Sequence, residues 1–256
     1  MSAAPASPRV RVIGAGRAGG SFALALGRAG WVVEVRRRGE PLAGAASGVD
    51  AVLVATPDDA IASVAAAVEP VASTVVLHVS GASGLGVLAP HERVASVHPL
   101  MTLPDPERGA ALLRGAWFAV AGDGFARRVV DALDGRAFAV DDAHRAAYHA
   151  AACIASNHVV ALLGQVARVA AGAGVPFDAF GPLVEASVAN AFATDPATAL
   201  TGPARRADWG TIARHLVALA PGERDAYLAG VRAARLLATG RDDVDEHEEL
   251  GGRPRG

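Results

Sequence analysis

Short apolar runs alternate with alanine-rich stretches along the first half of the chain. The runs predict strands, and the stretches between them, with apolar residues at helical spacing, predict helices. The predicted strands are residues 9–13, 31–36, 51–55, 74–79, 94–97, 116–121 and 137–140, and the predicted helices of this half are 17–29 and 59–68. Strands that alternate with helices are typical of a doubly wound, mostly parallel α/β sheet.

The strand pattern stops at residue 141, and the rest of the chain reads as helical. The predicted helices are 141–171, with a bend near Gly164, and 176–190, 208–219 and 223–239. We therefore predict an α/β domain at 9–140 and an all-α domain at 141–241, with a disordered lead at 1–8 and a disordered tail at 242–256.

A glycine motif connects the first predicted strand to the first predicted helix. Residues 14–19 read G-A-G-R-A-G, which is G-x-G-x-x-G. Gly14 permits the tight turn, Gly16 allows a pyrophosphate to approach the backbone, and Gly19 allows the helix to pack on the strand. The N–H groups of Arg17 and Ala18 open the helix, where phosphates bind. The motif predicts a Rossmann unit that binds a dinucleotide.

The end of the second predicted strand bears on which dinucleotide binds. An NAD enzyme places Asp or Glu there to hold the ribose hydroxyls. This chain has Arg36, Arg37 and Arg38 instead, and Glu34 lies earlier in the strand. Arginine pairs bidentately with phosphate. The sequence therefore favours NADP(H) over NAD(H), with a solvated strand end as the alternative for the arginines.

Further candidates follow the carboxyl ends of the other predicted strands. Thr56 and Pro57 follow strand 51–55, Ser80 and Gly81 follow strand 74–79, and His98 follows strand 94–97. In a doubly wound sheet the ligand crevice lies at these ends. We expect Thr56, Pro57 and Ser80 beside the cofactor, and Gly81 beside the substrate. His98 is either a catalytic residue or a residue that fixes its loop by a hydrogen bond.

Composition narrows the chemistry further. The 256-residue chain has net charge −2, 52% apolar residues and one cysteine, Cys153. These values exclude a disordered chain and an internal disulfide, and they argue against nucleic-acid binding. All 24 lysine-plus-arginine positions are arginine, so no lysine can act as a proton donor. We expect a cytoplasmic protein with no metal site, and we interpret the uncharged stretch 146–167 as a buried helix, not a membrane span.

Six segments, in order along the chain, resemble one bacterial family: VIGAGRAGGSFALAL, VATPDDAI, HVSGASG, SVHPLMTL, YHAAACIASNHVVALL and LTGPARRADWGTIARHL. That family joins a Rossmann-like domain to a C-terminal helical domain of unknown function 2520. It is distantly related to pyrroline-5-carboxylate reductase, 6-phosphogluconate dehydrogenase and ketopantoate reductase. The resemblance covers residues 9–240 and implies an NADPH-dependent reductase of a small oxo or imino acid. Related reductases use a helix lysine with an asparagine, and this chain lacks the lysine.

The long predicted helix carries the residues that would replace that lysine. His149, Cys153 and Asn157 are four residues apart, which places them on one helix face. If this helix corresponds to the catalytic helix of those relatives, the resemblance implies that His149 lies near the place of their lysine. Either His149 or His98 would then protonate the substrate, with Asn157 orienting it. Tyr148 points about 100° away and is a weaker candidate. The alternative for His149 and Asn157 is a polar contact between packed helices.

A second cluster follows in the helical half, around the sequence Thr201-Gly202-Pro203. Thr201 and Arg206 are candidates to bind the substrate, with Arg206 on its carboxylate. Asp208 is a candidate for the same site and also the expected cap of the helix that follows. His215 belongs to either the core or the site.

The sequence therefore predicts an NADPH-dependent reductase of a small 2-oxo acid, similar to ketopantoate reductase. The alternatives are a reductase of a cyclic imino acid and a non-catalytic NADP-binding regulatory protein. The apolar long helix also predicts a homodimer formed through the helical domain.

Overall fold

A computed structural model describes residues 6–241 and residue 244 of the chain. Its centre is a seven-stranded sheet in the order β2-β1-β3-β4-β5-β6-β7. The strands are β1 Arg9–Ile13, β2 Val32–Arg36, β3 Ala51–Val54, β4 Val75–His78, β5 Val94–Pro99, β6 Trp117–Gly122 and β7 Arg136–Ala139. All neighbouring strands are parallel except β5 and β6, which are antiparallel. The doubly wound, mostly parallel Rossmann sheet predicted from the sequence is confirmed.

Helices cover both faces of the sheet, and two of them between residues 100 and 135 were not predicted. The helices are α1 Arg17–Arg28, α2 Ile61–Ala67, α3 Pro106–Leu113, α4 Phe125–Ala132, α5 Arg145–Cys153, α6 Val159–Gly172, α7 Gly181–Ala193, α8 Pro196–Ala199, α9 Gly202–Arg205, α10 Trp209–Ala218 and α11 Pro221–Thr239. The missed helices, α3 and α4, are short, with eight residues each. A segment of that length shows little more than two turns of apolar periodicity.

The central strands are buried on both sides. Every residue of β3 and of β4 is buried. One core packs Leu53 and Leu77 against Phe22 of α1, and the other packs Val52 and Val76 under α2. Because both faces are covered, these strands read as continuous apolar runs, and only their carboxyl ends remain available for polar chemistry.

The predicted long helix forms, but it contains a π-helical segment at Ile154–His158 between α5 and α6. The helix α6 continues through Gly164 without interruption, and the irregular segment lies before it. The chain divides into two compact units, Met1–Ser156 and Asn157–Gly256, within this π-helical segment. The sequence placed the boundary at 141, where the strands do end, but α5 belongs to the sheet unit. Of the predicted lead 1–8 and tail 242–256, residues 1–5, 242, 243 and 245–256 lie outside the described residues.

The helix Arg145–Gly172 is, among the described residues, long and apolar enough to cross a membrane by length and composition alone. Its most apolar 18-residue window has no buried residue within this chain. The expectation that the stretch 146–167 is a buried helix is therefore wrong for the single chain.

Candidate functional site

The turn between β1 and α1 has the geometry that the glycine motif predicts. Gly14 has a positive φ of 110°, and a Cβ there would lie 2.6 Å from the carbonyl oxygen of Ala55. A Cβ on Gly19 would lie 1.9 Å from the carbonyl oxygen of Gly14. At Gly16, in contrast, a Cβ would meet nothing within 4 Å. The turn is therefore closed on the protein side and open on the other side, as a phosphate-binding turn must be.

The first turn of α1 has free donors and no acidic residue. Gly16 is the N-cap and supplies no side-chain cap, and the first turn contains no acidic side chain. The N–H groups of Arg17 and Ala18 in this turn have no partner inside the helix. These features, together with the helix dipole, fit a phosphate group.

The arginine cluster lies at the end of β2, next to this turn. The backbone N–H of Gly14 donates to the carbonyl of Arg36 at 3.0 Å. Arg37 and Arg38 are exposed, whereas the Nε of Arg36 is buried without a hydrogen-bond partner among the described residues. A buried, unpaired guanidinium nitrogen at this edge of the sheet fits an anionic ligand.

Glu34, the acidic residue of β2, has another partner. Arg11 donates from its Nη2 to Glu34 at 2.6 Å, and both hydrogen bonding and charge from Arg11 lower the pKa of Glu34. Glu34 also lies two residues before the end of the strand, which is Arg36. This carboxylate therefore does not occupy the position from which an acidic residue holds the ribose of NAD.

Two of the strand-end candidates lie after β3. The hydroxyl of Thr56 is buried and has no hydrogen-bond partner among the described residues. Its backbone N lies 3.4 Å from the position of a Cβ on Gly14, so Thr56 adjoins the glycine turn. Pro57 is exposed and precedes a short 3-10 helix, Asp58–Ala60. Thr56 thus brings an unpaired donor and acceptor to the turn.

The loop after β4 is held by Ser80, whose predicted role was cofactor binding. The Ser80 hydroxyl accepts from the N–H groups of Ala82 and Ser83 at 3.1 and 3.0 Å. The N–H of Ser80 itself donates to the Nδ1 of His78 at 3.2 Å. Ser80 therefore shapes the loop, which places Gly81 against the rings of two histidines.

Gly81 has no space for a side chain. A Cβ there would lie 2.8 Å from the Nε2 and Cε1 of His98 and 2.8 Å from the Cδ2 of His149. The two rings are 6.3 Å apart, centroid to centroid. Gly81 thus brings His98, from β5, and His149, from α5, to one place at the carboxyl edge of the sheet.

His98 has a partner that the sequence ranked low. Its Nδ1 lies 2.5 Å from the hydroxyl of Tyr148. Tyr148 in turn packs against Phe138 of β7, with ring centroids 5.7 Å apart. The sequence considered only the helix face of His149, and not the strand beneath the helix that brings His98 to Tyr148. The lower rank given to Tyr148 stays a prediction.

Burial defines the protonation states of the pair. Desolvation lowers the pKa of His98 to about 4 and raises the pKa of Tyr148 to about 12. At neutral pH the imidazole is therefore neutral and the phenol is protonated. The phenol donates to Nδ1, so the single N–H proton of the neutral ring is on Nε2. Among the described residues no group accepts from Nε2, which lies beside Gly81 and is free to donate to a ligand.

His149 and Cys153 share a helix face, as predicted, with the Cys153 sulfur 3.9 Å from the Nε2 of His149. The predicted third member, Asn157, lies in the π-helical segment. A π-helix closes its hydrogen bonds over five residues, and the role of Asn157 in orienting a substrate stays a prediction. Asn157 is exposed and belongs to the helical unit.

The remaining candidates also belong to the helical unit. Thr201 is the N-cap of α9, and Arg206 is its C-cap. Asp208 caps α10 by accepting from the backbone N–H of Thr211 at 3.0 Å, which confirms the predicted cap. His215 pairs through Nδ1 with the hydroxyl of Tyr227 at 2.6 Å. Substrate binding by Thr201, Arg206 and Asp208 stays a prediction.

Sequence reasoning also missed Arg145, a buried residue of α5. Its side chain is 3% exposed, and its Nη2 donates to the hydroxyl of Ser96 on β5 at 3.1 Å. The sequence shows that Arg145 and Tyr148 are one helical turn apart. It also shows that Ser96 and His98 are two residues apart and so share one face of the strand. Nothing in the sequence alone indicates that these two pairs face one another.

The fold and site define a two-unit protein with a Rossmann sheet and a helical C-terminal part. Residues 119–234 match the model of a family described as a domain of unknown function, DUF2520. This match confirms the resemblance drawn from the sequence. It begins at β6, so the matched segment includes the last two strands of the sheet as well as the helices. No curated protein sequence matches the chain.

Solved structures with the same fold extend over nearly the whole chain. A Bacteroides fragilis protein, provisionally assigned as an NADP oxidoreductase, is 20% identical with a TM-score of 0.74, over 90% of this chain and 98% of that one. An Aspergillus terreus reductive aminase, solved with NADPH and ethyl levulinate, is 16% identical with a TM-score of 0.65, over 93% and 96%. A variant imine reductase from Myxococcus stipitatus, solved with NAD+, is 16% identical with a TM-score of 0.59, over 96% and 99%. At these identities the similarity establishes the fold.

Proposed function

We propose that this protein is an NADP(H)-dependent reductase of a small 2-oxo acid. The observation that carries the proposal is the His98–Tyr148 pair, which places a neutral imidazole donor at the same edge of the sheet as the phosphate-binding turn. The unpaired Nε of Arg36 and the open side of Gly16 support NADP(H) as the cofactor. The similar folds solved with NADPH or NAD+ support the same assignment.

The chain's own residues account for the proton. When bound, the reduced nicotinamide supplies a hydride, with its electron pair, to the carbonyl carbon. His98 polarises the carbonyl through Nε2–H and transfers that proton to the oxygen as it becomes an alcohol. Tyr148 passes its own proton to Nδ1 in the same step. Afterwards Nε2 takes a proton from solvent and Nδ1 returns its proton to the phenolate, so both groups regain their starting forms. A relay of this kind needs no lysine and never forms a free imidazolium.

A neutral imidazole donor is suited to carbonyl reduction. An imidazole whose pKa is lowered can polarise a carbonyl through its N–H without first carrying a positive charge into a buried site. The alternative substrate is a cyclic imino acid, whose C=N bond is reduced by the same hydride. The similar folds of the imine reductase and the reductive aminase favour that alternative.

A turnover assay separates these possibilities. Purified protein is mixed with NADPH or NADH and a panel of 2-oxo acids, with ketopantoate among them, and of cyclic imines, and cofactor absorbance is followed. Oxidation of NADPH with 2-oxo acids supports the proposal, and oxidation with imines alone moves the substrate to the C=N class. Calorimetric binding of NADPH without any turnover would instead support a regulatory protein.

We also propose that the helical unit forms a homodimer. Its helices expose large apolar side chains: Val160, Leu162, Leu183 and Phe192 are 69%, 55%, 64% and 89% exposed. An apolar surface of this kind on α6 and α7 is typical of a partner interface. Light scattering in detergent-free buffer tests this: a dimer is expected. A monomer, or a protein that stays with membranes during cell fractionation, would contradict it.

A further inference from the structure

Two parallel side-chain pairs connect α5 to β5. Arg145 donates from Nη2 to the hydroxyl of Ser96 at 3.1 Å, and Tyr148 lies 2.5 Å from the Nδ1 of His98. Arg145 and Tyr148 are one helical turn apart, and Ser96 and His98 lie on the same face of the strand. The first pair is fully buried, and the second lies nearer the edge of the sheet. The buried pair therefore fixes the rotation and height of α5 above β5.

The charge of Arg145 is only partly compensated. Its side chain is 3% exposed, and Asp142, which is its one carboxylate partner among the described residues, accepts from Nε at 3.1 Å but is 53% exposed. Its Nη1 is buried without a hydrogen-bond partner among the described residues. Burying a charge with an unpaired donor destabilises a protein, so such groups usually have a functional reason.

We propose that Arg145 is the positioning residue of the proton-donating pair: it holds the Tyr148 hydroxyl on His98 and supplies the buried positive charge that stabilises the phenolate. The inference rests on the proposed function, in which Tyr148 gives up a proton in each turnover. In a chain without lysine, Arg145 provides the fixed cation beside the proton donor, although it does not itself donate.

The other titratable groups near His98 and Tyr148 do not supply the positive charge that we assign to Arg145. His98 is also faced by His149 of α5, His78 of β4 and Asp58, from the 3-10 helix after β3. His78 is buried, and desolvation lowers its pKa to about 4, so it is neutral near pH 7. The charge of Asp58 raises the pKa of His98, so Asp58 is not the source of the positive charge. Tyr148 is faced by the apolar ring of Phe138 and by the charge of Arg145, which lowers the pKa that burial raises.

The chain allows a direct measurement, because it has two tyrosines, Tyr148 and Tyr227. Tyr227→Phe leaves Tyr148 as the single tyrosine. Biosynthetic labelling with 3,5-difluorotyrosine makes the phenol acidic enough to titrate before alkaline unfolding. Its phenolate absorbance then reports the pKa of residue 148 in the full chain, without substrate or cofactor.

Four variants are compared in this background. Arg145→Met is expected to raise the titration midpoint by at least about one pH unit, the size of shift that a nearby buried charge produces. Arg145→Lys is expected to restore most of the shift. Ser96→Ala, which retains the charge but loosens its anchor, is expected to give a smaller rise. Arg235→Met, which removes a buried arginine from the helical unit, is the matched control and is expected to leave the titration midpoint of Tyr148 unchanged.

The proposal is overturned if Arg145→Met folds, by circular dichroism, and leaves the midpoint unchanged. If Arg145→Met does not fold, Ser96→Ala decides: an unchanged midpoint overturns the proposal. In the turnover assay, Arg145→Met is expected to lower kcat, by up to about tenfold for each pH unit by which the Tyr148 midpoint rises, with KM unchanged. The titration needs no turnover, so a protein without reductase activity would refute the proposed function while the titration still tests Arg145.

Discussion

The two ends of the candidate site are built in opposite ways. The phosphate end is six consecutive residues, 14–19, and consists almost entirely of backbone. The chemical end brings together side chains from β5, α5 and the loop after β4, which are distant along the chain. The phosphate end depends on the absence of Cβ atoms at Gly14, Gly16 and Gly19. The chemical end depends on which side chains come into contact. The difference predicts that backbone changes affect binding and stability, whereas side-chain changes affect turnover.

Gly19→Ala is the strongest test of the phosphate end. The new Cβ would lie 1.9 Å from the carbonyl oxygen of Gly14, which is backbone and cannot move aside cheaply. We expect a loss of about 3 kcal/mol or more in the free energy of unfolding, together with loss of NADPH binding.

Gly27→Ala on the same helix is the matched control for that change. A Cβ there meets nothing within 4 Å, so it should stabilise the protein by about 0.5–1 kcal/mol. Urea unfolding and calorimetry of both variants provide the measurement. Equal stability of the two variants would show that the turn is looser than described.

The same contrast explains how much the sequence could predict. The glycine turn and the strands follow from local patterns, because each needs only neighbouring residues to agree. The contact between Tyr148 and His98 depends on how α5 packs on β5, and no local sequence pattern records that packing. The π-helical segment at Ile154–His158 was missed for a related reason: its wider turn leaves no mark in the composition of the segment.

The buried histidines at the chemical end predict that the protein loses stability at acid pH, and this is the next test. Desolvation lowers the pKa of both His78 and His98 to about 4, below the usual 6.5. Between these values the unfolded chain binds protons that the native chain does not, so stability falls as the pH falls. The lowered pKa of each histidine is expected to reduce the free energy of unfolding by about 3 kcal/mol between about pH 7 and about pH 4.

His78→Asn tests the acid effect with one histidine removed. The amide oxygen of asparagine can accept from the N–H of Ser80 in place of Nδ1, and it does not titrate in this range. The loss of unfolding free energy between about pH 7 and about pH 5, by urea titration, should be smaller in the variant than in the parent. An equal loss in both would mean that His78 is protonated in the native protein.

Replacing the proton donor tests the chemical end itself. His98→Gln retains an N–H near the position of Nε2 but cannot pass a proton from Tyr148. We expect kcat to fall about 100-fold, with NADPH affinity unchanged.

His215→Gln is the matched control, because His215 also pairs with a tyrosine, at 2.6 Å, but in the helical unit. It is expected to leave kcat unchanged. If both variants kept parental turnover, the donor would have to be another residue, with His149 as the next candidate.

The smallest expected effect concerns the arginines at the end of β2. Arg38 is exposed, and a contact with a 2′-phosphate in solvent is weak, so Arg38→Ala should weaken NADPH binding about tenfold, or about 1.4 kcal/mol. NADH lacks that phosphate, and its affinity should not change. Arg114→Ala removes an arginine that is 69% exposed and paired with Asp134, and serves as the charge control. The backbone of the phosphate end would bind the pyrophosphate of either cofactor, and the arginines would only distinguish NADPH from NADH. Equal losses of affinity for NADPH and NADH in Arg38→Ala would therefore place Arg38 on the shared pyrophosphate instead.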